Sequence, residues 1–212
     1  PYKLTATPLK GRHLDEEAAE EAPRPPRPLT FGRPRFAAEE FGLTPAQRGT
    51  ALHMVMQYID FEKAETAEGV AAEIHRLVEQ AFLTPQQGEA VNPERIAAFF
   101  SSDLGRELMA STSLRREFKF SILVPAADYY QEAEPEEQVL LQGVVDCCFE
   151  TLEGITVVDF KTDRVTKRTV AERAEEYRPQ LTAYSRALEE ITGKPVARRC
   201  LWFFAIDQAV EV

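Results

Sequence analysis

The sequence has 212 residues, a formal net charge of −10, and 44% hydrophobic residues. This length and apolar fraction are typical of one α/β domain with a sizeable core, with room for an appended segment. No apolar run approaches the roughly 20 residues needed to span a bilayer, and no signal peptide is apparent, so no membrane association is predicted. The acidic balance argues against a broad DNA-binding surface, because phosphate contacts depend on Lys and Arg. Three cysteines give neither an even disulfide framework nor a metal-binding spacing, which predicts a cytoplasmic location.

Residues 1–36 are predicted to be a connector, and residues 37–212 a folded domain. The connector contains an acidic run, Asp15–Glu21, and a proline-rich run, Pro23–Pro28, which is typical of a stiff spacer. A chain that starts this way is expected to be part of a longer protein. No G-x-x-x-x-G-K-[ST] phosphate loop occurs, so neither a bound nucleotide nor an ATP-driven motor is predicted in this segment.

Helices are predicted to dominate residues 44–110. A threonine cap followed by proline starts the first one at Thr44, and His53 lies at the edge of its apolar stripe. A histidine in that position is most simply a half-buried core residue. Further helices are predicted around residues 70–81, after Asn92, and after Ser102.

The next elements are predicted to be strands. Residues 116–124 alternate, with Phe118 and Phe120 on the apolar face and Glu117 on the opposite face, where an exposed glutamate is the simplest explanation. An acidic loop is predicted over residues 126–137. Two apolar, β-branched runs then flank Leu152-Glu153-Gly154, which predicts a β-hairpin.

Within this hairpin, Asp146, Asp159 and Lys161 are the candidates for chemistry. If Glu153-Gly154 is a two-residue turn, Asp146 pairs with Lys161 and lies diagonal to Asp159, at roughly 7–8 Å. A slip of one residue would place the two aspartates on opposite faces, so the hypothesis depends on the register.

Two carboxylates suit Mg²⁺ or Mn²⁺, and such an ion lowers the pKa of its bound water and neutralises charge on a phosphoryl group. A lysine beside them can orient the attacking water or stabilise the developing oxyanion. The alternative is an Asp146–Lys161 ion pair on a solvated face, which contributes little.

A helix is predicted from Tyr177 to Thr192, with Pro179 near its start and Gly193 as its C-cap. Gln180 and Tyr184 are four residues apart and therefore share a face. A buried strand is predicted over Arg199–Ile206. Basic residues cluster between the hairpin and this helix, as a candidate DNA contact or a solvated face: Arg164, Lys167, Arg168, Arg173 and Arg178.

Four segments in order resemble the motifs of RecB-type nucleases of the PD-(D/E)xK superfamily: Arg48–His53, Gly143–Asp146, Val158–Asp163 and Gln180–Tyr184. Their order and spacing are most similar to the nuclease domains of AddAB-type helicase–nucleases, and the resemblance covers about residues 40–206. It implies an α/β fold with a mixed central β-sheet flanked by helices, restriction-endonuclease-like. It also implies a Mg²⁺-dependent exonuclease, with Mn²⁺ as a substitute, that hydrolyses single-stranded DNA ends during double-strand-break processing.

The resemblance further implies roles for individual residues. Asp146, Asp159, His53 and the backbone carbonyl of Phe160 would hold the metal, and Lys161 would position the attacking water. Support or DNA contact is implied for four more residues: Gln180, Tyr184, Glu117 and Arg164. The implied partners are DNA, a helicase portion N-terminal in the same chain, and an AddB-type second subunit. Some relatives carry a four-cysteine iron–sulfur cluster, which three cysteines cannot supply.

Two other functions stay open on the sequence. One is a free-standing RecB-like or CRISPR-associated nuclease. The other is a non-catalytic docking module that keeps the nuclease fold.

Overall fold

The computed structural model describes residues 3–5, 43–130 and 133–212. The acidic run, the proline-rich run and the predicted connector boundary at residue 36 lie outside these residues. Lys3–Thr5 form a short strand, β1, that the sequence pattern did not predict. The described residues divide into two compact units: Phe99–Val212 with β1, and the described residues up to Ala98.

The unit up to Ala98 is helical, as predicted. Its helices are α1 (Pro45–Tyr58), α2 (Ala67–Glu79), α3 (Pro85–Ala90) and the start of α4 (Pro93–Ser101). At the start of α1, the Thr44 hydroxyl accepts from the Gln47 N–H and the Gln47 side chain accepts from the Thr44 N–H, which confirms the predicted cap. The short helix α3 was not predicted, although Thr84 and Gln87 form the same capping box there.

Glu73, on α2, joins two elements of this unit. It is 3% exposed, and its carboxylate accepts hydrogen bonds from the Asp60 N–H (2.9 Å) and the Arg76 guanidinium (2.6 Å). The bond from Arg76 lowers the pKa of Glu73 below its usual range. Arg76 also donates to the Tyr58 carbonyl, so the buried Glu73 carboxylate and its Arg76 partner together tie the end of α1 to α2.

The second unit is built on a six-stranded mixed sheet, which confirms the predicted fold class. After helix α5 (Asp103–Ala110), its strands are β2 (Arg115–Pro125), β3 (Gln138–Glu150), β4 (Ile155–Lys161), β5 (Val196–Phe203) and β6 (Gln208–Glu211). The order is β1-β3-β4-β5-β6, and β2 pairs with the other edge of β3. The β1–β3 and β4–β5 pairs are parallel, and the others are antiparallel.

The site is positioned by a fork in the sheet, the place where β4 diverges from β3. One edge of β3 pairs with β2 over nearly its whole length, so β1 and β4 share the opposite edge. There β1 pairs with Leu140–Gln142 and β4 pairs with Cys147–Glu150. Gly143–Asp146 therefore lie between the two pairings, where β4 diverges from β3.

Helix α6 (Val170–Thr192) packs on one face of the sheet. It begins at Val170 rather than at the predicted Tyr177, so Pro179 lies inside the helix. The first turns form because Val170 and Tyr177 are buried against Phe203 of β5, and this packing outweighs the cost of an internal proline. Gly193, at φ 69°, ends the helix as predicted.

The C-terminal strands differ from the sequence prediction. The strand β5 runs over Val196–Phe203 instead of Arg199–Ile206, because a tight turn with Asp207 at φ 50° leads into the unpredicted β6. The predicted acidic loop holds a 3₁₀ turn at Ala126–Asp128, and residues 131 and 132 lie outside the described part. Among the helices of the described residues, none has the length and apolar character to cross a bilayer.

Candidate active site

The β3–β4 hairpin has a longer turn than predicted. Cys147 lies opposite Val158 and Glu150 opposite Ile155, so residues 151–154 form the turn and the predicted pairing of Asp146 with Lys161 is wrong. The same register continued by one step places Asp146 opposite Asp159. The difference is two residues, and the side-chain period of a strand is two, so both aspartates stay on one face.

The longer turn has a local cause. The Thr151 N–H and hydroxyl both donate to the Gly154 carbonyl, at 2.8 and 3.0 Å. Gly154 adopts φ 141°, a backbone conformation that side chains rarely allow.

Asp146 is half-buried at the fork. Its carboxylate accepts a backbone hydrogen bond from β4 where the β3 backbone no longer pairs with that strand. Val158 is the last β4 residue paired with β3, and beyond it the Phe160 N–H donates to the Asp146 carboxylate at 2.8 Å. The N–H and C=O of one strand residue point to the same side, so the Phe160 carbonyl faces the same gap. This places a carboxylate and a carbonyl, both hard oxygen donors, at one edge.

Asp159 and Lys161 are buried under α6, at 3% and 6% exposure. The Lys161 Nζ lies 2.5 Å from the Asp159 Oδ2. The predicted alternative, a solvated Asp146–Lys161 pair, is therefore wrong: the lysine pairs with the other aspartate, away from water. The Asp159 Oδ2 makes close charge contact with the ammonium but has no hydrogen bond of proper geometry.

Gln180 and Tyr184 of α6 meet this ion pair on the helix face that the sequence predicted they share. The Lys161 Nζ donates to the Gln180 Oε1 (3.1 Å), and the Gln180 Nε2 donates to the Tyr184 hydroxyl (2.7 Å). Burial, followed by the carboxylates of Asp159, Asp146 and Glu117, raises the pKa of Tyr184 well above its usual value.

Glu117 extends the row of carboxylates onto a third strand. Arg116 lies opposite Cys147 and Phe118 opposite Val145, which sets Glu117 across from Asp146. Its backbone has φ 51°, an uncommon and strained value for a residue with a side chain. The sequence indicated its face, but its place beside Asp146 depends on a register that only the structure supplies.

The predicted basic cluster is only partly a free cationic surface. Arg173 pairs with Asp163 and Glu176, and Arg178 pairs with Glu175. Arg164, Lys167 and Arg168 are exposed. A DNA-contacting role for Arg164 stays a prediction.

Tyr177 is a contact of the lysine that the sequence pattern did not single out. The Lys161 Nζ lies 3.8 Å from the centroid of its ring, and the Tyr177 hydroxyl donates to the Asp163 carboxylate at 2.7 Å. Tyr177, Gln180 and Tyr184 follow a spacing of three and four residues, a sequence signal that could have placed Tyr177 on the face predicted for the other two.

The donor chemistry fits a hard divalent cation. Asp146 lies at the fork with the Phe160 carbonyl expected beside it, Asp159 adds a second carboxylate on β4, and one oxygen of Asp159 lacks a hydrogen bond. Within the ranges that the structure describes, no three His, Cys, Asp or Glu side chains form a group arranged to hold an ion. His53 is half-buried on α1, in the unit that ends at Ala98, and its role as a ligand stays a prediction.

Comparison with known proteins shows the family to which the chain belongs. Residues 29–211 match the model of the PD-(D/E)XK nuclease superfamily. The chain is also similar to proteins named as subunits of an ATP-dependent helicase/nuclease. It is 39% identical over 215 residues to the one from Desulforamulus reducens (100% of this chain, 17% of the relative) and 40% identical over 210 residues to the one from Acetivibrio thermocellus (96% and 16%).

A third such relative, from Clostridium botulinum strain Loch Maree, is 35% identical over 216 residues, again covering all of this chain and 17% of its own length. The chain thus spans about a sixth of the length of the curated relatives it matches. With a family match over nearly the whole chain, and the two aspartates and the lysine of the motif brought together at the fork, this chain belongs to the PD-(D/E)XK nuclease superfamily.

Proposed function

We propose that this chain is the nuclease domain of an AddAB-type ATP-dependent helicase–nuclease, and that it hydrolyses phosphodiesters of single-stranded DNA with Mg²⁺, or with Mn²⁺ in its place. The observation that carries the proposal is the fork, where the Asp146 carboxylate accepts from the Phe160 N–H and the Lys161 ammonium contacts Asp159. The names of the relatives support the helicase–nuclease setting over a free-standing enzyme.

Asp146, Asp159 and the Phe160 carbonyl would hold the cation, with His53 as a further proposed ligand. When bound, the cation would neutralise charge on the phosphoryl group and lower the pKa of its water. Asp146 is already oriented by the Phe160 N–H, so little ordering is needed before it binds.

Lys161 has the second role. In the structure its ammonium neutralises the buried Asp159 carboxylate. One of the three N–H groups of the Lys161 ammonium donates to Gln180. The ammonium can therefore direct another N–H toward an attacking water or a developing oxyanion. Tyr184 is proposed to support this arrangement through its hydrogen bond with Gln180. Glu117 is proposed to support it from its place beside Asp146.

The proposed partners follow from charge and from the relatives. With a net charge of −10, the chain has little general attraction for DNA, so a strand delivered by other protein is the expected mode. We propose that a helicase portion N-terminal in the same chain delivers it, with an AddB-type second subunit, during double-strand-break processing. Arg164 is the proposed phosphate contact. The proposed location is the cytoplasm, where free thiols such as the three cysteines here persist.

The test is cleavage of end-labelled single-stranded DNA in Mg²⁺ or Mn²⁺. Asp159→Asn and Lys161→Gln are each expected to lower the rate by on the order of a hundredfold or more, because each removes a group that acts in the transition state. Glu153→Gln, an exposed carboxylate in the hairpin turn, is the matched control and should cleave like wild type. Equal rates in all four proteins would refute the assignment of the site.

A further inference from the structure

The Lys161 ammonium contacts an aromatic ring as well as the Asp159 carboxylate. Its Nζ lies 3.8 Å from the ring centroid of Tyr177, which is 2% exposed. A cation over a ring face is attracted by the ring's electrons, and the attraction is strongest where water is excluded. The ammonium therefore has three contacts: Asp159, Gln180 and the Tyr177 ring.

The ring is itself held in place from its hydroxyl end. The Tyr177 hydroxyl lies 2.7 and 2.9 Å from the two Asp163 carboxylate oxygens. Arg173 donates to the same carboxylate through Nε (2.9 Å) and Nη2 (2.5 Å). Asp163 follows Lys161 by two residues, so this set of bonds links the chain just after β4 to the first turns of α6.

Core packing alone does not account for these contacts. Tyr177 belongs to a buried cluster with Leu201 and Phe203, and a phenylalanine would fill the same volume. The face of the Tyr177 ring contacts a cation, and its hydroxyl donates to a carboxylate. A phenol ring can make both electrostatic contacts at once.

We propose that Tyr177, held by Asp163 and Arg173, is the positioning residue of Lys161. The ring and Gln180 keep the ammonium in the site when the Asp159 carboxylate turns to a divalent cation. Without the ring, the flexible lysine stem has more conformations open to it, and fewer of them reach the scissile phosphate. This inference rests on the proposed nuclease function.

The position of Lys161 can be measured without any catalysis. In NMR spectra of the 212-residue protein, a lysine end held over a ring face has its ε-methylene protons shifted upfield. The Lys161 signal is identified by its absence in Lys161→Gln. We expect a strong upfield shift in wild type that is smaller in Tyr177→Phe, whose ring has lost the hydroxyl bonds to Asp163, and absent in Tyr177→Met, which keeps the apolar volume without the ring.

The matched control is Val170→Ala. It truncates another buried residue of the same cluster, at the start of α6, and leaves the Lys161 signal in place. A Lys161 signal at the ordinary lysine position in wild type would overturn the proposal even if Tyr177→Met does not fold. Equal displacement of the signal by Val170→Ala and Tyr177→Met would also overturn it, since it would reduce Tyr177 to a packing role.

Kinetics give the functional readout. Tyr177→Met should lower kcat about ten- to thirtyfold with KM for DNA within about twofold, and Tyr177→Phe should lower kcat by less, because it keeps the ring but loses the hydroxyl bonds. Wild-type kcat in Tyr177→Met would contradict positioning. Failure of the wild-type chain to cleave DNA would instead count against the proposed function, and the NMR result would still decide how Lys161 is held.

Discussion

Asp146 and Asp159 are held in the site by different forces. A backbone N–H from Phe160 orients the half-buried Asp146, whereas the ammonium of Lys161 stabilises the buried Asp159. The sequence placed all three residues on polar strand faces but could not show which aspartate pairs with the lysine. That choice depends on packing beneath α6, which leaves the ammonium next to Asp159 and out of water.

The dual role of Asp146 predicts a difference between two substitutions. Asp146→Asn removes a charge of the proposed metal site, but its side-chain oxygen can still accept the Phe160 N–H. Asp146→Ala leaves that buried N–H without a partner, which costs about 1–3 kcal/mol of unfolding free energy. Urea denaturation should therefore find Asp146→Asn close to wild type and Asp146→Ala less stable, with both inactive. Equal stability of the two variants would contradict the role of Asp146 at the fork.

The buried Lys161–Asp159 pair predicts a link between the lysine and metal affinity. Lys161→Met leaves an uncompensated buried carboxylate and should cost about 3–5 kcal/mol. Mg²⁺ should then raise the melting temperature of Lys161→Met more than that of wild type, because the cation no longer competes with the ammonium for Asp159.

The control for this experiment is the double variant Lys161→Met with Asp159→Asn. It removes both charges and should recover stability while losing the response to Mg²⁺. An equal Mg²⁺ response in Lys161→Met and wild type would contradict competition at Asp159.

At the level of elements, the sequence predicted which face of each strand is buried, but not the length of the hairpin turn or of helix α6. Alternation in β2, β3 and β4 correctly separated the core residues from the site residues, because the period of a strand is local information. The turn length was wrong by two residues, since bonds from Thr151 to Gly154 close it rather than a two-residue turn. The early start of α6 was missed because proline suggested a boundary that tertiary packing overrides.

Gly154 predicts how strongly this turn resists substitution. A Cβ there would lie 2.5 Å from the Pro195 carbonyl oxygen, on a backbone at φ 141°. Gly154→Ala should therefore lower the unfolding free energy by at least about 2 kcal/mol. Gly193→Ala is the matched control, because its φ is also positive, at 69°, but among the described residues no heavy atom outside its own stretch of backbone lies within 4 Å of the added Cβ. Its cost should be nearer about 1 kcal/mol, and denaturation showing the reverse order would contradict the turn geometry.

Two buried cysteines in the strands predict that the stability of the fold depends on pH. Burial raises the pKa of the Cys148 and Cys200 thiols to about 11, above the usual value of 9.0. A thiol with a raised pKa in the folded state stabilises the fold fully below the unfolded value, and that contribution is lost as pH rises through the folded value. Stability should therefore fall between about pH 9 and pH 11, by on the order of 2 kcal/mol for each thiol.

The comparison that isolates this effect is a variant with Cys148→Ala and Cys200→Ala. It should be less stable at about pH 7 because buried volume is lost, but its stability should fall less steeply above about pH 9. Urea denaturation under reducing conditions, from about pH 8 to about pH 11, measures both slopes. Parallel slopes would contradict titration of these two buried thiols.

At the level of the whole molecule, motif order and composition predicted the fold and the family. The alternation of strands and helices indicated a mixed sheet, and the order of the four motifs indicated a nuclease, which the family match confirms. The fork itself was beyond prediction, because it arises where β1 and β4 share one edge of β3. The contact of Lys161 with Tyr177 was also hidden, since it joins a strand to a helix sixteen residues later.

The most direct test of the central claim is calorimetric titration of Mn²⁺ into the folded chain, with Asp159→Asn and the surface variant Glu153→Gln in parallel. The fork predicts saturable binding in wild type and in Glu153→Gln, and its loss in Asp159→Asn. Binding unchanged by Asp159→Asn, or no binding to a folded wild-type chain, would contradict a metal-dependent nuclease site at Asp146 and Asp159 and would favour a docking module that keeps the nuclease fold.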